Sequence, residues 1–373
     1  MAGSNEEKVV RELLDSIGVR INGPNPYDIQ LHDNRTYRRV LSDGALGLGE
    51  SYMDGWWDCQ ALDQLFDRVL HTNLREEVKG NWKIAWYFLQ SKLINLQKIS
   101  RAYQIGEEHY DTGNDLFEAM LDNRMNYTCA YWRDATNLDE AQEAKLAMVC
   151  QKIELQPGMT VLELGCGFGA FAGYAAEKYG AHVTGVTVSK EQVAYGEERY
   201  KGLPVELKLE DYRQVQGQYD RVISIGIMEH VGYKNYRTYM EVVDRTLKDD
   251  GIAFIHTIGS NESVTAANAW LTKYIFPNGM LPSIAQLGTA LEGLFVMEDW
   301  HNMGPDYDKT LMTWYDNFES AWPDLQQKYG ERFGRMWRYY LLSAAGGFRA
   351  RDAQLWQIVM TKNGRRQPDC RII

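Results

Sequence analysis

The apolar positions follow two different rhythms along this chain. From Pro157 onward short apolar runs alternate with stretches of helical period. Thr160–Leu164 reads as a strand closed by Gly165, and Ala170–Tyr179 as a helix ending near Gly180. His182–Val186, Val205–Leu209, Arg221–Gly226 and Ile252–Thr257 read as further strands. Ser189, with Gln192 at the reciprocal box position, opens one intervening helix. Asn235–Leu247 is another, stopped by Asp249-Asp250-Gly251. This alternation predicts an α/β fold, a doubly wound Rossmann-like parallel sheet. Phe295–Trp300 and Leu355–Thr361 read as closing strands, with aromatic-bearing helices between them. An added pair of that kind extends the sheet beyond a five-stranded doubly wound core. Ser260–Ile284, with Trp270, Tyr274 and Phe276, reads as a lid inserted over the cleft.

Before Pro157 the pattern is mainly helical. Glu7–Ile17 is amphipathic, and Gly23-Pro24-Asn25-Pro26 breaks the chain after it. Leu46–Asp58, dense in Gly and Trp, reads as a packed turn with a structural role. Val78–Gln104 carries Lys79, Lys83, Lys92, Lys98 and Arg101 among Trp82, Trp86, Phe88 and several Leu and Ile. That is the pattern of a helix lying on anionic lipid, and equally of a linking helix with a solvated basic face. Glu107–Phe117 and Met125–Trp132 read as loops around a short helix, and Asn137 with Glu140 as a capping-box start of a helix to about Ile153. The expected division is a smaller, mainly helical N-terminal domain over 1–104 and a catalytic domain over 105–373.

A chain of 373 residues with 45% hydrophobic content is long enough for both. Its net charge of -11 argues against non-specific nucleic-acid binding. Five scattered cysteines without a CxxC pair suggest reduced thiols, a cytoplasmic setting and no bound metal. No signal-peptide pattern opens the sequence, and no apolar run approaches the ~18 residues of a membrane span. Any membrane contact is therefore expected to be peripheral.

Candidate chemistry gathers at the strand ends. Gly165-Cys166-Gly167-Phe168-Gly169 joins a strand to a helix, where a backbone without side chains lets a nucleotide-like ligand approach. A tight turn with no ligand is the plainer alternative. Gly165, Thr187, Asp211, Glu229 and His256 all fall at or just past carboxyl ends of strands, the edge at which such sheets bind ligands. No acidic residue ends the second strand, which disfavours a nicotinamide cofactor.

With these stretches in place, residues from about 30 to 361 resemble the bacterial cyclopropane-fatty-acyl-phospholipid synthases. These are class I S-adenosylmethionine-dependent methyltransferases related to mycolic-acid cyclopropane synthases. The likeness rests on Gly47–Asp58, Glu107–Phe117, Tyr127–Trp132, Leu164–Gly169, Glu229–Gly232, His256–Ser260 and Gly346–Asp352. The resemblance implies S-adenosylmethionine over Gly165 and Gly167, with Tyr127 and Thr128 near its amino-acid end. It implies Thr187 and Gln192 on the ribose side, and Asp211 and Tyr212 on the adenine side. It further implies a bound bicarbonate as base, held by Cys129, Glu229, His256, the backbone of Ile258, and Tyr315. Which of Glu229 and His256 shares the proton is left open. Where some relatives have a cysteine near Gly346-Gly347-Phe348, this chain has Ser343, Ala344 and Ala345, so no covalent cysteine route is expected there.

The implied reaction methylenates cis double bonds of unsaturated phospholipids on a membrane, the enzyme sitting peripherally on an anionic inner-membrane surface as a homodimer. C-methylation to a branch without ring closure is the alternative within the same chemistry. A lipid-binding scaffold with a vestigial fold is the alternative from another class. Replacing Lys83, Lys92 and Lys98 by Gln is expected to weaken binding to anionic vesicles in a salt-sensitive manner, read by co-sedimentation. Unchanged sedimentation would leave Val78–Gln104 as a linker.

Overall fold

The computed structural model describes residues 5–71, 113–264 and 268–372. The basic stretch Val78–Gln104, most of the loop from Glu107 and the expected boundary at 104 lie outside them. Chain contacts group the residues into two compact units, each assembled from three segments.

One unit comprises Leu121–Thr265, Gly279–Thr310 and Ala353–Ile373. Its seven strands are β1 (Thr160–Leu164), β2 (His182–Thr187), β3 (Val205–Leu209), β4 (Tyr219–Ile225), β5 (Leu247–Ser260), β6 (Val296–Asn302) and β7 (Ala353–Thr361). They lie in the order β3-β2-β1-β4-β5-β7-β6. β1 to β5 are parallel, and β7 runs antiparallel between β5 and β6. The expected doubly wound sheet with a closing hairpin is thus present.

Both faces are covered, which is why the strands read as nearly continuous apolar runs. Leu162, Leu164, Val222 and Ile255 join one buried cluster with helix Tyr236–Thr246. Their alternating neighbours Val161, Ile223 and Phe254 join another with helices Leu138–Lys152 and Ala170–Tyr179.

Two expectations change. β5 starts at Leu247, directly after the preceding helix, and reaches Ser260, beyond the expected Thr257. Its parallel pairing with β4 ends at Ile225 and His256, but pairing with β7 carries it on to Ser260 opposite Ala353. The helix from Leu138 is capped by Asn137 Oδ1, which accepts from the Glu140 N–H at 3.0 Å. Glu140 does not close a capping box; it reaches one residue further back, to Thr136 N and Oγ1.

The other unit comprises Met1–Met120, Ala266–Asn278 and Leu311–Asp352; its described residues are mainly helical, with one short antiparallel pairing of Gln30–Leu31 and Trp57–Asp58. Leu46–Asp58 is not a turn: Ala45–Met53 is a helix. Gly47 and Gly49 serve close packing there. A Cβ on Gly47 would lie 2.2 Å from the Arg39 carbonyl oxygen, and one on Gly49 2.3 Å from the Trp270 ring. Trp57 is fully buried and donates its indole N–H to Ser51 Oγ at 3.0 Å. The segment expected to be a lid is divided, since helix Ala269–Tyr274 belongs to this unit and 279–284 to the sheet unit. Gly346, on helix Glu331–Arg349, lets the Asp63 carbonyl approach where a Cβ would stand 2.5 Å away. Among the described residues no helix is long and apolar enough to cross a membrane.

In the sheet unit, Lys152 ends its helix inside the core, with its ammonium 2.8 Å from Asp299 Oδ2 of β6 and both side chains buried. Removing one member of such a pair leaves an unsolvated charge. Asp299→Ala is therefore expected to lower stability by about 3–5 kcal/mol in urea unfolding. A loss under about 1 kcal/mol would mean that water reaches Lys152.

Candidate active site

The glycine turn after β1 has φ of +73°, +53° and +80° at Gly165, Gly167 and Gly169. This is the left-handed region that glycine alone occupies freely. Gly165 is required twice over, because a Cβ there would stand 2.8 Å from the Ile227 side chain. A Cβ on Gly167 would meet nothing within 4 Å among the described residues, so that position borders space they leave open. The N–H groups of Gly165 and Cys166 both donate to the Val186 carbonyl, at 2.9 and 3.0 Å, pinning the turn to the end of β2.

Beyond β2, Ser189 Oγ accepts from the Gln192 N–H as the expected cap. The Gln192 side chain does not close the box. Its Oε1 accepts from Thr187 Oγ1 at 2.6 Å, so the two residues expected on the ribose side are joined to each other. Asp211 caps the turn after β3, and its carboxylate is gripped by the Arg213 guanidinium at 2.9 and 2.6 Å. That bond holds its pKa below the usual range. Tyr212 packs against Tyr239 at 5.3 Å between ring centres.

At the end of β4, Gly226 donates to the His256 carbonyl at 2.8 Å. The short helix Met228–Val231 then carries Glu229 inward. Glu229 Oε1 accepts the Ile258 N–H at 2.6 Å, while the buried Oε2 has no hydrogen-bond partner among the described residues. Ile258 thus gives its backbone donor to Glu229. Burial raises the Glu229 carboxyl from 4.5 to about 7. His256 is also buried; its Nδ1 lies 3.4 Å from Gln357 Nε2, and its Nε2 has no partner among the described residues. Burial, reinforced by the Lys145 and Lys152 charges, holds His256 well below its ordinary value and so neutral. Of these two groups, Glu229 is therefore the one that changes charge near neutral pH.

Cys129 is wholly buried, with Sγ 3.2 Å from the Ala130 carbonyl, and burial keeps its thiol protonated. Thr128 closes in on the end of β4, where a Cβ on Gly226 would stand 2.8 Å from its methyl. Tyr127 is half-buried beside it. Thr128, Gly226, Ile227 and Gly165 thus form a continuous contact from the loop to the glycine turn, two residues from Glu229. Tyr315 lies on helix Gly304–Tyr329, in the part that belongs to the helical unit.

Two buried ionisable groups went unnoticed in the sequence. Glu163, next to the end of β1, has an Oε2 without a partner among the described residues, and burial raises its pKa to about 8. Lys145, on helix Leu138–Lys152, is fully buried, which lowers its pKa to about 8. The signal was a charge standing where the apolar pattern demands core, as in Val161-Leu162-Glu163-Leu164.

A raised carboxyl pKa has a definite effect on stability. The unfolded Glu229 carboxyl ionises near 4.5 and the folded one near 7. Its contribution is fully present below 4.5 and is lost as pH rises through about 7. Glu229→Gln should flatten that part of the curve of Tm against pH. An unchanged curve would mean that the carboxylate is ionised and hydrated in the folded protein.

A family model described as mycolic acid cyclopropane synthetase matches residues 97–358. The chain is 51% identical over 358 residues to the cyclopropane-fatty-acyl-phospholipid synthase of Escherichia coli (strain K12), covering 96% of this chain and 94% of that one. It is 31% identical to sphingolipid C9-methyltransferase A of Emericella nidulans, over 89% of this chain and 68% of the relative. Among solved structures, mycolic acid cyclopropane synthase CmaA1 complexed with SAH and CTAB superposes with a TM-score of 0.64 at 30% identity, covering 70% of this chain and 98% of that one. With the sheet order, the glycine turn and these matches together, the chain belongs to the mycolic acid cyclopropane synthetase family of S-adenosylmethionine-dependent methyltransferases.

Proposed function

We propose that this chain is a cyclopropane-fatty-acyl-phospholipid synthase, adding a methylene group from S-adenosylmethionine across the cis double bond of an unsaturated phospholipid acyl chain. The observation that carries the reading is the 51% identity to the Escherichia coli enzyme of that name along nearly the whole length of both chains. The left-handed glycine turn bordering open space fits the methyl donor, with Gly165 and Gly167 beneath it and Tyr127 and Thr128 at its amino-acid end. Because Gln192 spends its carbonyl on Thr187, its amide N–H groups are the ones available to the ribose. Tyr212 would flank the adenine, and Asp211, neutralised by Arg213, would contribute little charge there.

An alkene is a weak nucleophile, so this site's task is to aim the sulfonium methyl at the double bond and exclude water. Attack forms the first new carbon–carbon bond, breaks the sulfur–methyl bond, and leaves S-adenosylhomocysteine and a carbocation. Loss of a proton from the new methyl closes the ring. A bound bicarbonate would supply the base for that proton. The unpartnered Glu229 Oε2 and His256 Nε2, both buried, are the atoms that fit such a small polar ion. A neutral His256 and a Glu229 carboxyl near its midpoint can share a proton with it without adding charge. Cys129 would act by position, and Ile258 through the amide that orients Glu229. Tyr315 is proposed as the fifth contact on resemblance alone.

The phospholipid substrate further suggests peripheral binding to an anionic membrane through Val78–Gln104, a cytoplasmic homodimer, and an N-terminal domain over 1–104 that serves lipid access and dimerisation, with catalysis in 105–373. A second reading is C-methylation to a branched chain, favoured by the match to a sphingolipid C9-methyltransferase.

Purified protein incubated with S-adenosylmethionine and vesicles of cis-monounsaturated phospholipid should yield acyl chains heavier by CH2, with ring protons in the NMR spectrum. The same mass gain with the double bond retained, or a gain of CH4, would establish the branching reading. Glu229→Gln should keep S-adenosylhomocysteine binding and lose about 100-fold or more in turnover. Wild-type turnover in that variant would remove Glu229 from the proton transfer.

A further inference from the structure

Lys145 has no assigned part in the site, yet everything near it is arranged around its charge. Gln142 and Lys145 stand three residues apart on helix Leu138–Lys152 and so share a face. From that face Gln142 Nε2 donates to the Thr128 carbonyl at 2.8 Å. Lys145 Nζ donates to Asn126 Oδ1 at 2.9 Å and to Thr128 Oγ1 at 3.2 Å. Asn126 is itself oriented by Asp122, whose carboxylate accepts from its backbone N–H and its Nδ2, both at 2.8 Å. The helix therefore grips the segment Asn126–Thr128 by backbone and side chain together. Cys129 follows directly, and the Thr128 methyl abuts Gly226.

The donor and acceptor rules make this more than a brace. An ammonium group can only donate, so Thr128 Oγ1 must receive from Lys145. A hydroxyl that receives a hydrogen bond from a cation still has its own proton to place. No acceptor among the described residues takes it. Thr128 is partly exposed, whereas Lys145 is not. The lysine cannot touch a ligand from its buried place, but it can decide what the threonine offers to one.

We propose that Lys145 is a positioning residue for the methyl donor: by occupying an acceptor site of Thr128 it commits the Thr128 hydroxyl to donating, the polarity that the carboxylate of the donor's amino-acid end requires. This rests on the S-adenosylmethionine reading above. Asp122, Glu163 and Cys129 are the other ionisable groups around the ammonium. All three favour its charged form, Asp122 most, against the burial that opposes it.

Two ligands separate positioning from mere structural support. S-adenosylhomocysteine carries the amino-acid end, and 5′-methylthioadenosine lacks it. By calorimetry, Lys145→Met should weaken S-adenosylhomocysteine about tenfold or more, as expected for a lost charge-assisted hydrogen-bond chain, and leave methylthioadenosine within about twofold. Thr128→Val should show the same selective loss. The double variant should be no weaker than the weaker single one, within about twofold, since both changes break one path. Lys145→Gln, uncharged and able to accept as well as donate, is held to the same criterion if Lys145→Met does not fold. Equal loss for both ligands, no loss for either, or fully multiplicative losses in the double variant would overturn the proposal. A wild-type protein that binds neither ligand would overturn the S-adenosylmethionine reading itself.

Discussion

The hydrogen bond from the Ile258 amide to Glu229 Oε1 is the constraint on which the site depends. Ile258 lies on β5 where the parallel pairing with β4 has run out, and Glu229 on a helix of one turn that has little stability of its own. At 2.6 Å the bond fastens that turn to the longest strand of the sheet. It also settles which carboxyl oxygen is used and which is left. The second link, Gly226 to the His256 carbonyl, holds the chain three residues before Glu229 to the same strand. Glu229 and His256 are thus referred to one rigid element, so their relation is set by strand geometry and not by a loop.

Around that element the site combines few charges with much burial. Glu229, His256, Glu163, Lys145 and Cys129 are all shielded from water, and burial pushes each towards its neutral form. A surface of this kind offers polarity without strong nucleophiles. That suits the proposed reaction, in which a hydrated carboxylate or thiolate nearby would trap the carbocation. Lys145 keeps a partial exemption through Asp122 and Glu163.

The sheet was legible because its strands are buried on both faces and its turns are marked by glycine: all seven strands stand where periodicity placed them, within a few residues at the ends. β5 ran past its expected end because β7, about a hundred residues later, extends it, and no local pattern encodes that partner. Gly47 and Gly49 suggested a turn, but their φ angles are ordinary and the missing side chains make room for Arg39 and Trp270. Sequence alone cannot separate glycine used for conformation from glycine used for space. Gln192 looked like half of a capping box, but the N-cap amide of Ser189 donates to Thr187 Oγ1, and that hydroxyl in turn donates to the Gln192 side chain. Lys145 escaped notice because a lysine within a helix reads as surface, and only tertiary packing reveals it as core.

The placement of β7 bears on how the chain is made. β5 is complete by Ser260, yet the strand that belongs at its side is not synthesised until Ala353–Thr361. Throughout that interval a long apolar strand has an open edge on the ribosome, and β6, already made, cannot pair with it without taking the place of β7. The sheet closes only when its penultimate strand inserts between two strands already made. The nascent chain therefore carries a sticky margin for about a hundred residues of translation, several seconds to tens of seconds at ordinary elongation rates. Holding that margin apart from other chains becomes a task for chaperones, set by topology and independent of the chemistry the finished site performs.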